Sequence, residues 1–206
     1  MTADRTPDTA RGRRSLLAVA ALFLVPVAAA FWLYYGTPGW RPRGAANRGE
    51  LVDPAVPLPV LTFVTVDGSR IAGDLFRDRW TLLFIGPAAC DARCRDVLYL
   101  TRQTRLALNK DADRVRRLFL AAGPCCTDAG LLAEHPDLIV AAPTQGQLDT
   151  LTRLIPTPDA AAPLADTGRI YIVDPLGNLM MSYAADAPDK ALLDDLKRLL
   201  QLSHIG

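Results

Sequence analysis

Two cysteines separated by three residues, Cys90 and Cys94, have the residue type and spacing that most directly suggest chemistry. They lie in the stretch FIGPAACDARC, directly after an apolar run. At the start of a helix, such a spacing places both side chains on one face, with Cβ atoms about 5–6 Å apart, and the helix amides favour a thiolate. Two adjacent thiolates suit a soft metal such as Cu(I) or a reversible disulfide. The alternative is that both cysteines only pack in the core as small buried side chains.

Two further cysteines, Cys125 and Cys126, stand side by side in the stretch AAGPCCTDAG. They follow a second strand-like run, and in α/β sheets the loops after parallel strands share the edge at which ligands bind. A bond between neighbouring cysteines is strained, so we do not expect them to pair with each other. Pairing with Cys90 or Cys94, metal binding beside them, and an unpaired state in a surface loop stay open as alternatives.

Histidine is the other residue type here that could bind a soft metal, and the sequence contains two. His135, in AEHPD, lies in a predicted loop that could fold towards the helix carrying the first cysteine pair. His204 lies in the C-terminal tail. Since a lone loop histidine is more often solvated, His135 is a secondary candidate ligand and His204 a weaker one.

Apolar periodicity predicts an α/β domain around these residues. The predicted elements are a hairpin around Asp67 and Gly68, a buried strand at 80–86, a helix at 91–109, a strand at 115–123, a helix at 144–155, a strand–turn–strand at 168–184 and a helix at 187–202. This order is that of a thioredoxin-like domain, a central mixed sheet flanked by helices. The first cysteine pair would lie where the strand at 80–86 gives way to a helix.

The N-terminal region contains an uncharged run of 21 residues, SLLAVAALFLVPVAAAFWLYY, and a bilayer-spanning helix needs about 20 apolar residues. A cleaved signal peptide is the alternative, but its apolar core is usually only about 7–15 residues long. The arginines at 11, 13 and 14 favour a cytoplasmic N-terminus. We therefore predict a single-pass protein of the inner (cytoplasmic) membrane, with a cytoplasmic tail at 1–14, a transmembrane helix at 15–35, a Pro/Gly/Arg-rich tether at 36–55 and a periplasmic domain at 56–206.

The charge balance excludes one class of partner. The formal net charge is +1 and no basic face is visible, whereas nucleic-acid binding needs a basic patch or stripe. We expect no nucleic acid as a partner.

Two stretches resemble a known family. WTLLFIGPAACDARC resembles the strand and copper loop of the Sco/SenC family of cytochrome oxidase assembly proteins, and GRIYIVDPLGNLMMSY resembles that family's late strand, turn and strand. The resemblance covers residues 56–206, and the anchor and tether match the family's layout. It implies copper as cofactor, with Cys90 and Cys94 as its ligands or as a redox pair. It also implies, as partner, the cytochrome c oxidase subunit that carries the CuA site, or other assembly factors.

The sequence departs from the family at the third copper ligand. The family has a histidine five residues before the tyrosine of the late strand, and the same count back from Tyr171 gives Asp166. Aspartate is a hard oxygen ligand and a poor substitute for imidazole on Cu(I). The resemblance therefore carries over Cys90 and Cys94 by position, but not the histidine.

Three functions follow as hypotheses. The first is a non-catalytic, Sco-like factor for cytochrome c oxidase assembly, which handles Cu(I) or exchanges thiols at Cys90 and Cys94. The second is a membrane-tethered thiol–disulfide oxidoreductase, although such enzymes normally have Cys-x-x-Cys and a cis-proline before the late strand. The third is a degenerate thioredoxin-like scaffold that only binds partners.

Overall fold

The structure is a computed structural model, and it describes residues 9–36, 47–65, 68–71, 75–123, 129–158, 162–203 and 205. The chain divides into two compact units, residues 1–46 and 47–206. Cys125, Cys126 and His204 lie outside the described residues, so their predicted roles stay predictions.

The first unit contains one long helix, α1 (Thr9–Gly36), with Pro26 inside it. Within the described part of the chain, it is the one helix long and apolar enough to cross a membrane, over Gly12–Gly36. Its apolar side chains are exposed along its length, which suits a lipid environment rather than a protein core. The predicted membrane helix is thus confirmed as a candidate span.

The second unit is a mixed eight-stranded sheet with helices. Its strands are β1 (Glu50–Pro57), β2 (Phe63–Thr65), β3 (Arg70–Ile71), β4 (Trp80–Pro87), β5 (Val115–Ala122), β6 (Leu138–Ala142), β7 (Ile170–Val173) and β8 (Asn178–Tyr183). Its helices are α2 (Ala92–Leu106), α3 (Ala129–Glu134), α4 (Gln145–Leu154) and α5 (Asp189–Leu202), with short 3₁₀ turns at Asn109–Arg114 and Leu164–Asp166.

The sheet order is β1-β8-β7-β4-β5-β6-β2-β3, with β4, β5 and β6 parallel and the other pairs antiparallel. β4 is central and buried along nearly its whole length, as expected of a strand covered on both faces. Its odd and even residues belong to two separate apolar clusters, one on each face of the sheet. This is the predicted thioredoxin-like α/β architecture.

Local sequence signals account for several element boundaries. β2 and β3 form the predicted hairpin. The N-cap of α4 is Thr144, whose side chain and that of Gln147 form a reciprocal capping box. Asp174 accepts hydrogen bonds from the backbone of Leu176 and Asn178, which stabilises the turn between β7 and β8.

The domain begins earlier than predicted. Residues 50–57 form β1, which pairs with β8 through Glu50↔Ser182 and Val56↔Leu179. The compact unit starts at Asn47, so the boundary predicted at residue 56 is too late and residues 50–55 are not tether. The error has a physical cause: β1 is an exposed edge strand with two prolines and lacks the apolar alternation that marks a strand in sequence.

Candidate functional site

Cys90 and Cys94 are joined by a disulfide, with their Cα atoms 5.2 Å apart. Cys90 lies between the end of β4 and the start of α2, and Cys94 lies in the first turn of α2. Cys94 is 2% exposed and belongs to the apolar core, whereas Cys90 is only partly buried against it. An incoming thiol therefore reaches the Cys90 sulfur more readily than the Cys94 sulfur.

Asp91, between the cysteines, is the N-cap of α2. Its carboxylate accepts a 2.9 Å hydrogen bond from the backbone N–H of Cys94, which satisfies one of the helix donors that lack a partner within the helix. The cap fixes where α2 begins and therefore where the two sulfurs lie relative to each other. It also places a negative charge next to the pair, which opposes the effect of the helix N-terminus on a thiolate.

Arg93, also between the cysteines, reaches across to the segment before β7. Its guanidinium donates hydrogen bonds to the carbonyl oxygens of Thr167, at 3.1 Å, and of Asp166, at 3.4 Å. Gly168 lies under the same guanidinium and has φ = +64°. A Cβ at position 168 would lie 2.7 Å from the Arg93 Nε, so the close approach requires glycine.

A cavity of about 210 Å³ lies between the disulfide turn and this segment. Its lining includes Cys94 and Asp91 on one side and Ala165, Asp166 and Gly168 on the other, with Arg93 between them. The structure thus brings Asp166, the residue at the position of the missing histidine, to the cavity beside Cys94. Asp166 itself is exposed to solvent.

His135 does not reach the cysteine pair. It is 4% exposed, and its Nδ1 lies 3.5 Å from a guanidinium nitrogen of the fully buried Arg117. Arg117, on β5, lies opposite Leu82 of β4 in the sheet. Leu82 is about 16 Å along β4 from Pro87, the end of the strand that leads to the cysteines. Burial, followed by the charge of Arg117, lowers the pKa of His135.

The donors that the structure describes do not make up a complete copper site. Among the residues that the structure describes, no group of three or more His, Cys, Asp or Glu side chains is placed to hold a metal ion. Once reduced, Cys90 and Cys94 would offer two soft thiolates, which suit Cu(I), but no third soft ligand joins them in the described part of the chain. The two thiols need no further ligand for thiol–disulfide exchange.

Sequence reasoning identified the cysteine pair and Asp166, but it missed the contact of Arg93 with Thr167 and Gly168. From the sequence alone, Arg93 is only a positive charge between the two cysteines, and nothing indicates its partners. The nearest signal is Gly168, two residues before β7, because a glycine permits close approach to the backbone.

Comparisons with known proteins agree with this fold. Residues 80–203 match the family described as transmembrane-like, thioredoxin-like, C-terminal domain. No curated protein matches the sequence.

Three solved structures have a similar fold. The copper-bound ScoI of Bradyrhizobium japonicum has a TM-score of 0.54 at 22% identity and covers 70% of this chain and 99% of its own. Apo Sco1 of Thermus thermophilus has a TM-score of 0.59 at 20% identity, covering 74% and 96%. The thioredoxin domain of a thiol-disulfide oxidoreductase from Bacteroides vulgatus has a TM-score of 0.50 at 16% identity, covering 69% and 94%.

Proposed function

The chain belongs to the family described as transmembrane-like, thioredoxin-like, C-terminal domain, and from this premise we propose that it is a membrane-anchored, Sco-like factor that exchanges thiols and disulfides through Cys90 and Cys94. The observation that carries the proposal is the disulfide itself, in which Cys90 is partly buried and Cys94 is 2% exposed. A pair built only for packing would need neither the strand-to-helix turn nor the asymmetry in exposure.

The exchange has two steps. The thiolate of reduced Cys90 attacks one sulfur of a client disulfide, which forms a mixed disulfide and releases a client thiolate. The sulfur of Cys94 then loses its proton to solvent and attacks the Cys90 sulfur, which breaks the mixed disulfide and releases the second client thiolate. The client leaves with two reduced sulfurs and the protein is left with the Cys90–Cys94 disulfide. A dithiol reductant, such as a second thioredoxin-fold protein, regenerates the reduced pair by the reverse chemistry.

The client that we propose is the CuA-bearing subunit of cytochrome c oxidase, whose cysteines must be reduced before they bind copper. The Sco-like fold and the sequence resemblance support this choice. The arginines in the first turns of α1, ahead of its apolar run, support an anchor in the inner membrane with the domain in the periplasm, and disulfides persist in such oxidising compartments.

Genetic complementation tests this function. In a strain lacking the gene, we expect oxidase assembly to fall, the wild-type chain to restore it, and a Cys90→Ala, Cys94→Ala double variant to fail despite equal abundance in the membrane. Full restoration by the double variant would contradict thiol chemistry and favour a binding scaffold. Unimpaired oxidase in the deletion strain would contradict the choice of client.

Cu(I) binding is a second candidate function, favoured by the two thiol sulfurs at the turn and by the likeness to copper-bound ScoI. The reduced chain would then take copper as cargo, with Cys90 and Cys94 as its ligands. Anaerobic titration with Cu(I) against a competing chelator tests this. One bound equivalent, lost in the double cysteine variant, would support copper handling, and unchanged stoichiometry in that variant would contradict it.

A further inference from the structure

The contact between Arg93 and the segment before β7 lies at the reactive pair and has no part in the reaction described above. It joins the middle of the disulfide turn to residues 73 to 75 positions later in the chain. We call Arg93, the carbonyls of Asp166 and Thr167, and Gly168 the arginine clamp. We propose that Arg93 is a positioning residue whose clamp favours the disulfide state of Cys90 and Cys94 over the dithiol state. This inference rests on the proposed thiol exchange.

In the arginine clamp, one guanidinium donates hydrogen bonds to two acceptors. Two guanidinium nitrogens of Arg93 donate to two successive backbone carbonyls, and a planar guanidinium is preorganised for such pairs of bonds. Gly168 supplies the space, because a Cβ there would lie within 3 Å of three atoms of the guanidinium. Both sides of the contact are thus shaped for it.

The redox state of the cysteines changes how easily the clamp forms. In the disulfide state, residues 91–93 lie in a closed loop between two bonded residues, so their backbone has few alternatives. Reduction opens this loop and gives the three residues additional freedom, which raises the entropic cost of holding Arg93 in place. A contact that forms more readily in one of two states stabilises that state.

The charge of Arg93 acts in the opposite direction, because a cation favours the thiolates of the reduced state. Arg93 is exposed to solvent, and water screens the interaction of an exposed charge with its neighbours. We therefore expect the clamp to outweigh the charge. The two effects differ in sign, so an experiment separates them.

The test is an equilibrium titration of the full chain in detergent micelles with mixtures of reduced and oxidised glutathione at neutral pH. Cys125→Ser and Cys126→Ser form the background, so that one dithiol titrates. The variants are Arg93→Met, Arg93→Lys, Gly168→Ala and the Arg93→Met, Gly168→Ala pair. Gly168→Ala keeps the charge and displaces the guanidinium, whereas Arg93→Met removes both.

Gly177→Ala is the matched control. Gly177 also has a positive φ, +89°, and also lies beside an arginine side chain, but a Cβ there would be 3.6 Å from Arg77, an ordinary contact. It therefore reproduces the backbone strain of an alanine at positive φ without touching the clamp.

We expect Arg93→Met and Gly168→Ala each to raise the equilibrium constant for reduction by about twofold to tenfold, where the upper value applies if the two hydrogen bonds form only in the disulfide state. The double variant should show no further rise, since both changes break one contact. Arg93→Lys should also raise the equilibrium constant, as Arg93→Met does. Lysine keeps the positive charge but cannot donate to both carbonyls as the planar guanidinium does. Gly177→Ala should match the wild type.

A fall in the equilibrium constant in Arg93→Met with no change in Gly168→Ala would overturn the clamp in favour of a charge effect. Variants that match a wild-type chain with a measurable couple would overturn the clamp alone. A wild-type chain that shows no couple with glutathione would overturn the proposed function as well. Arg93 is exposed, so Arg93→Met keeps the test decisive even if Gly168→Ala fails to fold.

Discussion

The backbone N–H of Cys94 donates a 2.9 Å hydrogen bond to the carboxylate of Asp91, so the N-cap of α2 is the residue that directly follows Cys90. The motif loop therefore does more than separate two cysteines. Asp91 caps the helix, and Arg93 attaches the turn to the segment before β7.

The cap gives the first prediction. Asp91→Ala should lower the free energy of unfolding by about 1 kcal/mol, because one helix N–H loses its acceptor. Asp91→Asn is the matched control, since asparagine caps helices about as well as aspartate, and it should stay close to the wild type. Urea unfolding followed by circular dichroism measures both. Equal losses in the two variants would show that the charge, not the cap, matters.

The second prediction concerns the order in which the sulfurs react. After reduction, a polar alkylating reagent should modify Cys90 much faster than Cys94, because the core covers Cys94. Mass spectrometry of peptides after short exposures measures the two rates. In urea the rates should become similar, which serves as the control. Faster modification of Cys94 in the native chain would reverse the roles assigned to the two sulfurs.

A third prediction concerns the buried carboxylate of Asp195 on α5, which is 3% exposed. It accepts hydrogen bonds from the backbone N–H of Arg48 at 2.7 Å, from that of Gly49 at 2.9 Å and from the Tyr183 hydroxyl at 2.9 Å. It therefore holds the segment before β1 against β8 and α5. Burial, with the Asp195 charge adding to it, raises the pKa of Tyr183, so the phenol stays protonated and donates.

Asp195→Ala should lower the free energy of unfolding by about 3 kcal/mol or more, because three donors lose one charged acceptor. Tyr183→Phe removes only one of the three bonds and should cost about 1.5 kcal/mol. Chemical unfolding of the two variants side by side provides the comparison. A loss in Asp195→Ala no larger than that in Tyr183→Phe would contradict the role of Asp195 in holding residues 48 and 49.

The fourth prediction is a pH dependence of stability. Because burial lowers the pKa of His135 in the folded state, the unfolded chain takes up a proton first as the pH falls. Stability from this group is therefore lost as the pH drops through the usual histidine range, near 6.5, towards the lower folded value. Each unit of difference in pKa corresponds to about 1.4 kcal/mol.

His135→Asn removes the titration while keeping an acceptor near Arg117. Between about pH 7 and pH 5, the wild type should lose more unfolding free energy than this variant, although other groups titrate in both. Urea unfolding at a series of pH values gives the difference. Parallel pH profiles for the two chains would contradict the account of His135.

Much of the fold could be predicted because its signals are local. The buried run of β4, the Asp174 turn and the Thr144 cap each depend on residues within a few positions of one another. β1 was missed because an exposed edge strand with prolines carries little apolar periodicity. The chain from residue 50 onward therefore looked like a linker, and only its pairing with β8 shows otherwise.

The site also has a part that local sequence signals predict and a part that they do not. The cysteine pair is a short-range motif, so its spacing predicts that the two side chains lie close together, although it leaves a disulfide, metal binding and packing open. The clamp joins Arg93 to Thr167 and depends on how α2 packs against the segment before β7, which no local pattern encodes. For His135, the sequence indicates only a loop and leaves open which way the side chain points. In the structure the side chain lies against the buried Arg117.

The fifth prediction addresses thiol exchange through Cys90 directly. The reduced full chain is mixed with the oxidised CuA-bearing domain of cytochrome c oxidase, and mixed disulfides are detected by non-reducing electrophoresis and mass spectrometry. Cys94→Ser should accumulate a mixed disulfide through Cys90, Cys90→Ser should form none, and the wild type should release a reduced client. Equal trapping by both variants, or none by Cys94→Ser, would contradict the account.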